Sequence, residues 1–225
     1  MSVMFESIDP ATLRVSAVPA ALPPARAARD RLSISPAKRI TDLCFILVAL
    51  PGMVLVALLL VLMNPVLNPG PLFFRQDRMG LGGRRFRMWK FRTMLPDPAA
   101  RLHDAPVELH RITPLGRFLR RTRIDELPNA LNVIAGDMSL VGPRPDVYDH
   151  AAEYLRSVRH YRHRLAVRPG ITGLAQVQSG YADSRAAIRR KARLDRFYVE
   201  RAQTGLDLYI LLRTVPVMLT GFGAK

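Results

Sequence analysis

The chain has 225 residues, with 34 Lys+Arg against 18 Asp+Glu and a formal net charge of +16. Hydrophobic residues make up 49% and charged residues 23%, which is enough apolar material for a core and too much for a mostly disordered chain. One cysteine, Cys44, excludes an internal disulfide framework and a cysteine metal cluster, while charge this positive points to nucleic acid, an acidic membrane surface or a phosphorylated substrate.

In chain order, residues 1–36 carry scattered Pro, Ala and Arg without helical or alternating periodicity, and read as a flexible tail without a signal-peptide pattern. From Leu43 to Met63 there are 21 residues without a charge, roughly 30 Å as straight helix and so of membrane length; a buried core helix is the competing reading. Pro51 removes a helical hydrogen bond, so a break is expected there. Arg29, Arg31, Lys38 and Arg39 precede the run, and Arg75, Arg78, Arg84, Arg85 and Arg87 follow it. Basic flanks favour the cytoplasmic side, and a helix over 37–68 that breaks at Pro51 and re-enters satisfies both, where a straight span cannot.

Residues 69–225 read as one compact domain. Pro71–Gln76 and Arg85–Thr93 predict short strands joined by the Gly80–Gly83 turn, and 95–114 a polar connection. A basic helix follows over Leu115–Thr122, then an apolar-periodic one over Glu126–Ala135 with Leu127, Leu131 and Ile134 on one face. Further helices are expected at 146–163, 185–201 and 206–220, with a Gly/Pro loop at 168–181. The last helix either lies on the membrane or closes the core. The fold class is mainly α with a short β-hairpin: a re-entrant N-terminal helix, then a compact α/β domain with interfacial amphipathic helices.

Two adjacent acids among bases, in Arg120-Arg121-Thr122-Arg123-Ile124-Asp125-Glu126-Leu127-Pro128, are the most informative stretch. Pro128 marks a first helical turn and Asp125 falls where an N-cap acceptor is expected, so a purely structural role is available. Alternatively, neighbouring carboxylates diverge and take separate roles, one attacking phosphorus and the other holding a hard cation, with Arg120 and Arg123 binding phosphate oxygens. Pro143-Arg144-Pro145 fixes the backbone around Arg144, which suits a phosphate site or a plain turn. Lys90 and Arg92 either line the same site or face water.

Lys38-Arg39 with Asp42, Phe73-Phe74-Arg75-Gln76-Asp77-Arg78, Lys90-Phe91-Arg92-Thr93-Met94, Asp125-Glu126-Leu127-Pro128, Val141-Gly142-Pro143-Arg144-Pro145 and Val167-Arg168-Pro169-Gly170-Ile171-Thr172-Gly173 occur in this order. Together they resemble the bacterial sugar transferases, the small monotopic polyprenol-phosphate sugar-1-phosphate transferases, over roughly 36–222. The resemblance implies transfer of a sugar phosphate from a UDP-sugar to undecaprenyl phosphate at the cytoplasmic face of the bacterial inner membrane. It implies that Asp125 is the nucleophile and forms an aspartyl-phosphosugar, that Glu126 holds Mg²⁺ (or Mn²⁺), and that Lys90, Arg92, Arg120 and Arg144 bind the phosphates. The expected partners are UDP-sugar, undecaprenyl phosphate and anionic lipid, with a homodimer admitted and nucleic acid not expected. A basic binding module without catalysis is the alternative.

Overall fold

The computed structural model describes residues 35–96, 109–179 and 184–220. The expected tail, apart from its last two residues, lies outside them, as do 97–108 of the polar connection and 180–181 of the Gly/Pro loop. Helix α1 spans Pro36–Leu67, started by the Ser35 side chain accepting from the Lys38 amide and by Pro36 in the first turn. It continues through Pro51 and Pro65. The break expected at Pro51 is therefore not an interruption: proline's φ fits a helix, and Pro51 removes one donor while the turns on either side persist.

α1 is the one helix among the described residues long and apolar enough to cross a membrane. Its contacts with the rest of the protein follow a single stripe. Asp42, Ile46, Leu60 and Asn64 are buried and Met53, Val56 and Ala57 half-buried, while Val48 and Leu62 are 83% and 74% exposed. Steps of three, four and seven keep those positions on one helical face. The polar members have partners. The Asp42 carboxylate accepts from the Ser139 hydroxyl (2.6 Å) and the Leu140 amide (3.3 Å), and Asn64 donates to the Gly70 carbonyl (2.8 Å). Thus both ends of α1, Asp42 and Asn64, dock on the same folded body.

Strands β1 (Phe73–Met79) and β2 (Arg85–Phe91) form an antiparallel hairpin in register from Phe73–Phe91 to Met79–Arg85. Its tight connection places Gly82 and Gly83 at φ +65° and +83°, a region only glycine enters without strain. On β2, Phe86 and Met88 point into a core shared with Ile46, Ala130, Val133 and Met138, and Lys90 continues the same alternation.

Helix α2 (Pro114–Thr122) is capped by Thr113, whose hydroxyl accepts from the Gly116 amide at 3.0 Å. Arg123, in the left-handed region at φ +59°, turns the chain into a 3-10 turn at Ile124–Glu126, and α3 follows over Asn129–Ala135. Two expectations fail here. Asp125 is not an N-cap: it sits inside the 3-10 turn, and α3 starts from Pro128 with no side-chain cap. The buried face of α3 is Asn129, Ala130, Asn132 and Val133, whereas Leu131 and Ile134 are half exposed. The reason is the free edge of β2, where the Asn132 amide accepts from the Trp89 N–H (3.1 Å) and donates to the Arg87 carbonyl (2.7 Å). An asparagine thus serves as the missing neighbouring strand.

β3 (Ser139–Val141) pairs in parallel with β4 (Gly170–Thr172). Between them lie α4 (Tyr148–Ser157) and a 3-10 turn at Tyr161–Ala166, so the single helix expected over 146–163 is two pieces, parted by His160 at φ +68°. The expected loop at 168–181 instead contains β4 and α5 (Leu174–Ser179). α6 (Arg185–Arg201) and α7 (Thr204–Thr220) complete the order. Tyr198 and Val199 of α6 and Ile210 of α7 pack with Val141, Val167, Leu174 and Val177. α7 closes this core through Ile210, fully buried, while Leu208, Leu212, Val215 and Leu219 stay exposed on its other side.

Candidate active site

The 3-10 turn between α2 and α3 lies against the end of β2, and this junction brings the two acids to Lys90. Asp125 and Glu126 are 7% and 6% exposed, unusual for carboxylates unless paired. Glu126 is paired: Arg144 grips both its oxygens, Nη1 donating to Oε2 at 2.9 Å and Nη2 to Oε1, and Lys90 donates to Oε1 at 2.9 Å. Arg123 Nη1 stands 3.9 Å from Oε1. Burial alone would push the Glu126 carboxyl upward, but the charges and hydrogen bonds of Arg144 and Lys90 hold it well below the usual range. Burial also lowers Lys90 below its ordinary value, against the pull of Glu126.

Asp125 is in the opposite situation. Its Oδ1 is buried with no hydrogen-bond partner among the described residues. Burial pushes its carboxyl up to about 6, opposed by Lys90 and assisted by the Glu126 charge. Two neighbouring acids are therefore driven apart: one is locked as an anion by a two-pronged guanidinium, the other remains basic and uncommitted. Such a pair has the features of a nucleophile beside a fixed electrostatic partner.

Of the residues singled out from sequence, Lys90, Asp125, Glu126 and Arg144 come together. Arg92 does not join them. Its buried guanidinium donates to the carbonyls of Asn68, Pro71 and Met94 and to the Asn68 side chain, fastening the end of α1 to the hairpin. It lies past the end of β2, where strand alternation no longer applies. Arg120 donates from Nε to the Thr93 hydroxyl at 2.8 Å, while Arg123, weighed beside it in the sequence, is the arginine that approaches Glu126. The left-handed turn at Arg123 produces that swap. Asp146, Tyr161, Arg164, Lys191 and Asp195, which buttress the Arg144 loop, carry no local motif by which sequence could single them out.

The donor set fits a hard divalent cation. Oε2 of Glu126 accepts a single hydrogen bond and Oδ1 of Asp125 none among the described residues, and Mg²⁺ or Mn²⁺ commonly binds through one or two carboxylates with substrate phosphates and water. The described residues contain no group of three or more His, Cys, Asp or Glu placed to cage a metal by themselves. A cation here would depend on phosphate oxygens for the rest of its shell.

Residues 33–221 match the family described as Bacterial sugar transferase. The chain is 38% identical over 191 residues to the UDP-N-acetylgalactosamine-undecaprenyl-phosphate N-acetylgalactosaminephosphotransferase of Aeromonas hydrophila, covering 84% of this chain and 45% of that one. It is 40% identical over 182 residues to the UDP-glucose:undecaprenyl-phosphate glucose-1-phosphate transferase of Xanthomonas campestris pv. campestris, covering 79% of this chain and 38% of that one. The chain thus spans less than half the length of these two relatives. It is also 38% identical to an exopolysaccharide production protein of Rhizobium leguminosarum bv. phaseoli, with 80% of this chain and 92% of that one aligned. With a match covering most of its length and Glu126, next to Asp125, held by Lys90 and Arg144, the chain belongs to the bacterial sugar transferase family.

Proposed function

We propose that this chain transfers a sugar-1-phosphate from a UDP-sugar to undecaprenyl phosphate, giving undecaprenyl-diphosphate-sugar and UMP, the opening membrane step of exopolysaccharide, capsule, O-antigen or glycoconjugate synthesis. The observation that carries this reading is Asp125: buried, unpartnered at Oδ1 among the described residues, raised to about 6, and next to an anion already neutralised by Arg144 and Lys90. A carboxylate of that basicity is ionised at neutral pH and still a better nucleophile than an ordinary aspartate.

In the first half-reaction an Asp125 carboxylate oxygen bonds to the sugar-bearing phosphorus, the bridging P–O bond breaks, and UMP departs with the electron pair. In the second, a phosphate oxygen of undecaprenyl phosphate attacks the same phosphorus and the aspartyl–phosphorus bond breaks, restoring the carboxylate. The chain ends as it began. Lys90, Arg144 and Arg123 place positive charge beside Asp125, where the diphosphate's negative oxygens would otherwise repel it. Glu126 keeps two of those cations in place and would hold Mg²⁺ or Mn²⁺, which supplies further neutralisation of the diphosphate.

The lipid substrate requires a site at the membrane surface. Asp42 and Asn64 are 22 residues apart, about 33 Å of straight helix, yet both bury in the same body; this supports a helix that enters and leaves by the cytoplasmic face rather than one that spans. The net charge of +16 supports attraction to anionic lipid.

The test is UMP release from a panel of UDP-sugars by membrane-reconstituted protein with undecaprenyl phosphate and Mg²⁺, comparing the wild type with Asp125→Asn. Release with one donor, lost in the variant, is expected. Silence across the panel from folded protein would overturn the reading, and an active variant would remove Asp125 as nucleophile. Membrane-impermeant labelling of single cysteines at the two ends of α1 checks the topology, with both sites expected on one side.

A further inference from the structure

Prolines at 143 and 145 leave the loop that carries Arg144 short of amide donors, so its carbonyls are the backbone handles by which the protein can hold it. All four in a row are held. Pro143 accepts from the Gly170 amide (3.1 Å), Arg144 from Arg164 Nη2, Pro145 from Arg78 Nη1 (3.1 Å), and Asp146 from the Met79 amide (3.2 Å). Three of these bonds tie the loop to β1 and β4. The bond on Arg144 itself comes from a side chain that is 4% exposed and committed on every side. Arg164 Nη1 also donates to Asp146 Oδ2 and to the Tyr161 hydroxyl (3.0 Å), and its Nε stands 3.5 Å from Asp195 Oδ2. The Tyr161 hydroxyl in turn donates to Asp146 at 2.6 Å, and Lys191 holds the other Asp146 oxygen.

We propose that Arg164 is a positioning residue for the transfer reaction: its guanidinium fixes the Arg144 carbonyl, and thereby aims the Arg144 side chain at Glu126 beside Asp125. The inference rests on the transferase reading above. Arg164 touches neither acid of the pair; it acts through the backbone of the residue that does. The planar fork matters more than the charge. A lysine at 164 keeps the positive charge that Asp146 and Asp195 require. Its single ammonium cannot serve Asp146, Tyr161 and the Arg144 carbonyl in the fixed directions a guanidinium provides. With the carbonyl released, Arg144 loses its aim while the loop remains anchored at Pro143, Pro145 and Asp146.

The experiment is a double-variant cycle of Arg164→Lys and Arg144→Lys in reconstituted full-length protein, read by UMP release and by thermal unfolding. Arg164→Lys is expected to lower kcat about 10- to 100-fold, with KM for the UDP-sugar within about twofold, consistent with small misplacement costing turnover. The double variant is expected to be no slower than Arg144→Lys alone, because both changes remove the same interaction. Losses that multiply, or an Arg164→Lys protein with wild-type kcat, would overturn the proposal. Tyr161→Phe, which removes the hydroxyl without touching the Arg144 carbonyl, is expected to stay within about threefold of wild type; a loss as large as that of Arg164→Lys would also overturn it. If wild type releases UMP from no donor, the transferase reading fails separately, and the cycle in melting temperature decides the inference. Less-than-additive shifts keep Arg164 coupled to Arg144, and additive shifts end the proposal.

Discussion

Replacing Asp125 with Asn should abolish transfer and stabilise the protein. The carboxyl moves from an ordinary 3.8 to about 6 on folding, chiefly because burial disfavours its charge. At 1.36 kcal/mol per pKa unit, keeping that group ionised in the fold costs about 3 kcal/mol at pH 8. The sign follows from the direction: an acid raised by folding carries its full penalty above the folded value of about 6, and the penalty fades as pH falls toward 3.8. Asparagine has nearly the same shape and no charge, so the penalty disappears. For a chain of this size about 3 kcal/mol corresponds to a melting temperature higher by about 6–12 °C. Differential scanning fluorimetry on both proteins should show that gap at pH 8 and about half of the free-energy difference at pH 5. A variant melting at or below wild type at pH 8, with the same secondary structure, would show that Asp125 is well satisfied in the free protein and refute the account of its basicity.

Single-turnover UMP release should fall as pH drops through about 6, where Asp125 becomes protonated; an acid limb at the ordinary aspartate value of 3.8 would contradict the burial argument. Glu126→Gln should move that limb downward, since it removes a neighbouring negative charge and frees Lys90 and Arg144 to act on Asp125. Arg92→Met should cost about 3 kcal/mol by stranding the carbonyls that hold the end of α1, visible in urea unfolding, yet leave KM for the donor unchanged in the folded fraction. Gly116→Ala should be severely destabilising, because a Cβ there would meet the Thr93 carbonyl oxygen at 2.0 Å; soluble, wild-type-like expression would show that α2 can shift away from that strand end.

The elements that sequence located best carry strong local signals. The apolar run of α1, the alternation of Phe86 and Met88 and the Gly80–Gly83 turn all survive in the structure, as does α6 at its expected bounds. The failures have a shared physical origin in contacts between distant residues. Leu127, Leu131 and Ile134 formed the obvious apolar face, but Asn132 was drawn inward by an open strand edge 43 and 45 residues away. Asp125 looked like a cap because Pro128 lay three residues on, yet Arg123 entering a left-handed conformation displaced the helix start. The Asp125-Glu126 pair, Lys90 and Arg144 were legible as motifs. What distinguishes the two acids was not, because it depends on which of them Arg144 reaches.

The polar stripe of α1 bears on how the protein is made. The serine hydroxyl that satisfies Asp42 lies 97 residues later in the chain, about 5–20 s of synthesis at ordinary elongation rates. During that interval the helix carries an aspartate without its native partner, and placing one at the centre of a bilayer costs about 2.5–3.5 kcal/mol. If α1 meets a bilayer during that interval, this cost favours keeping its N-terminal turn at the headgroup level until β3 emerges, which would couple insertion of the helix to completion of the domain it docks on. A generic hydrophobic segment of equal length would lack both this restraint and the polar contacts that dock α1 to the folded body.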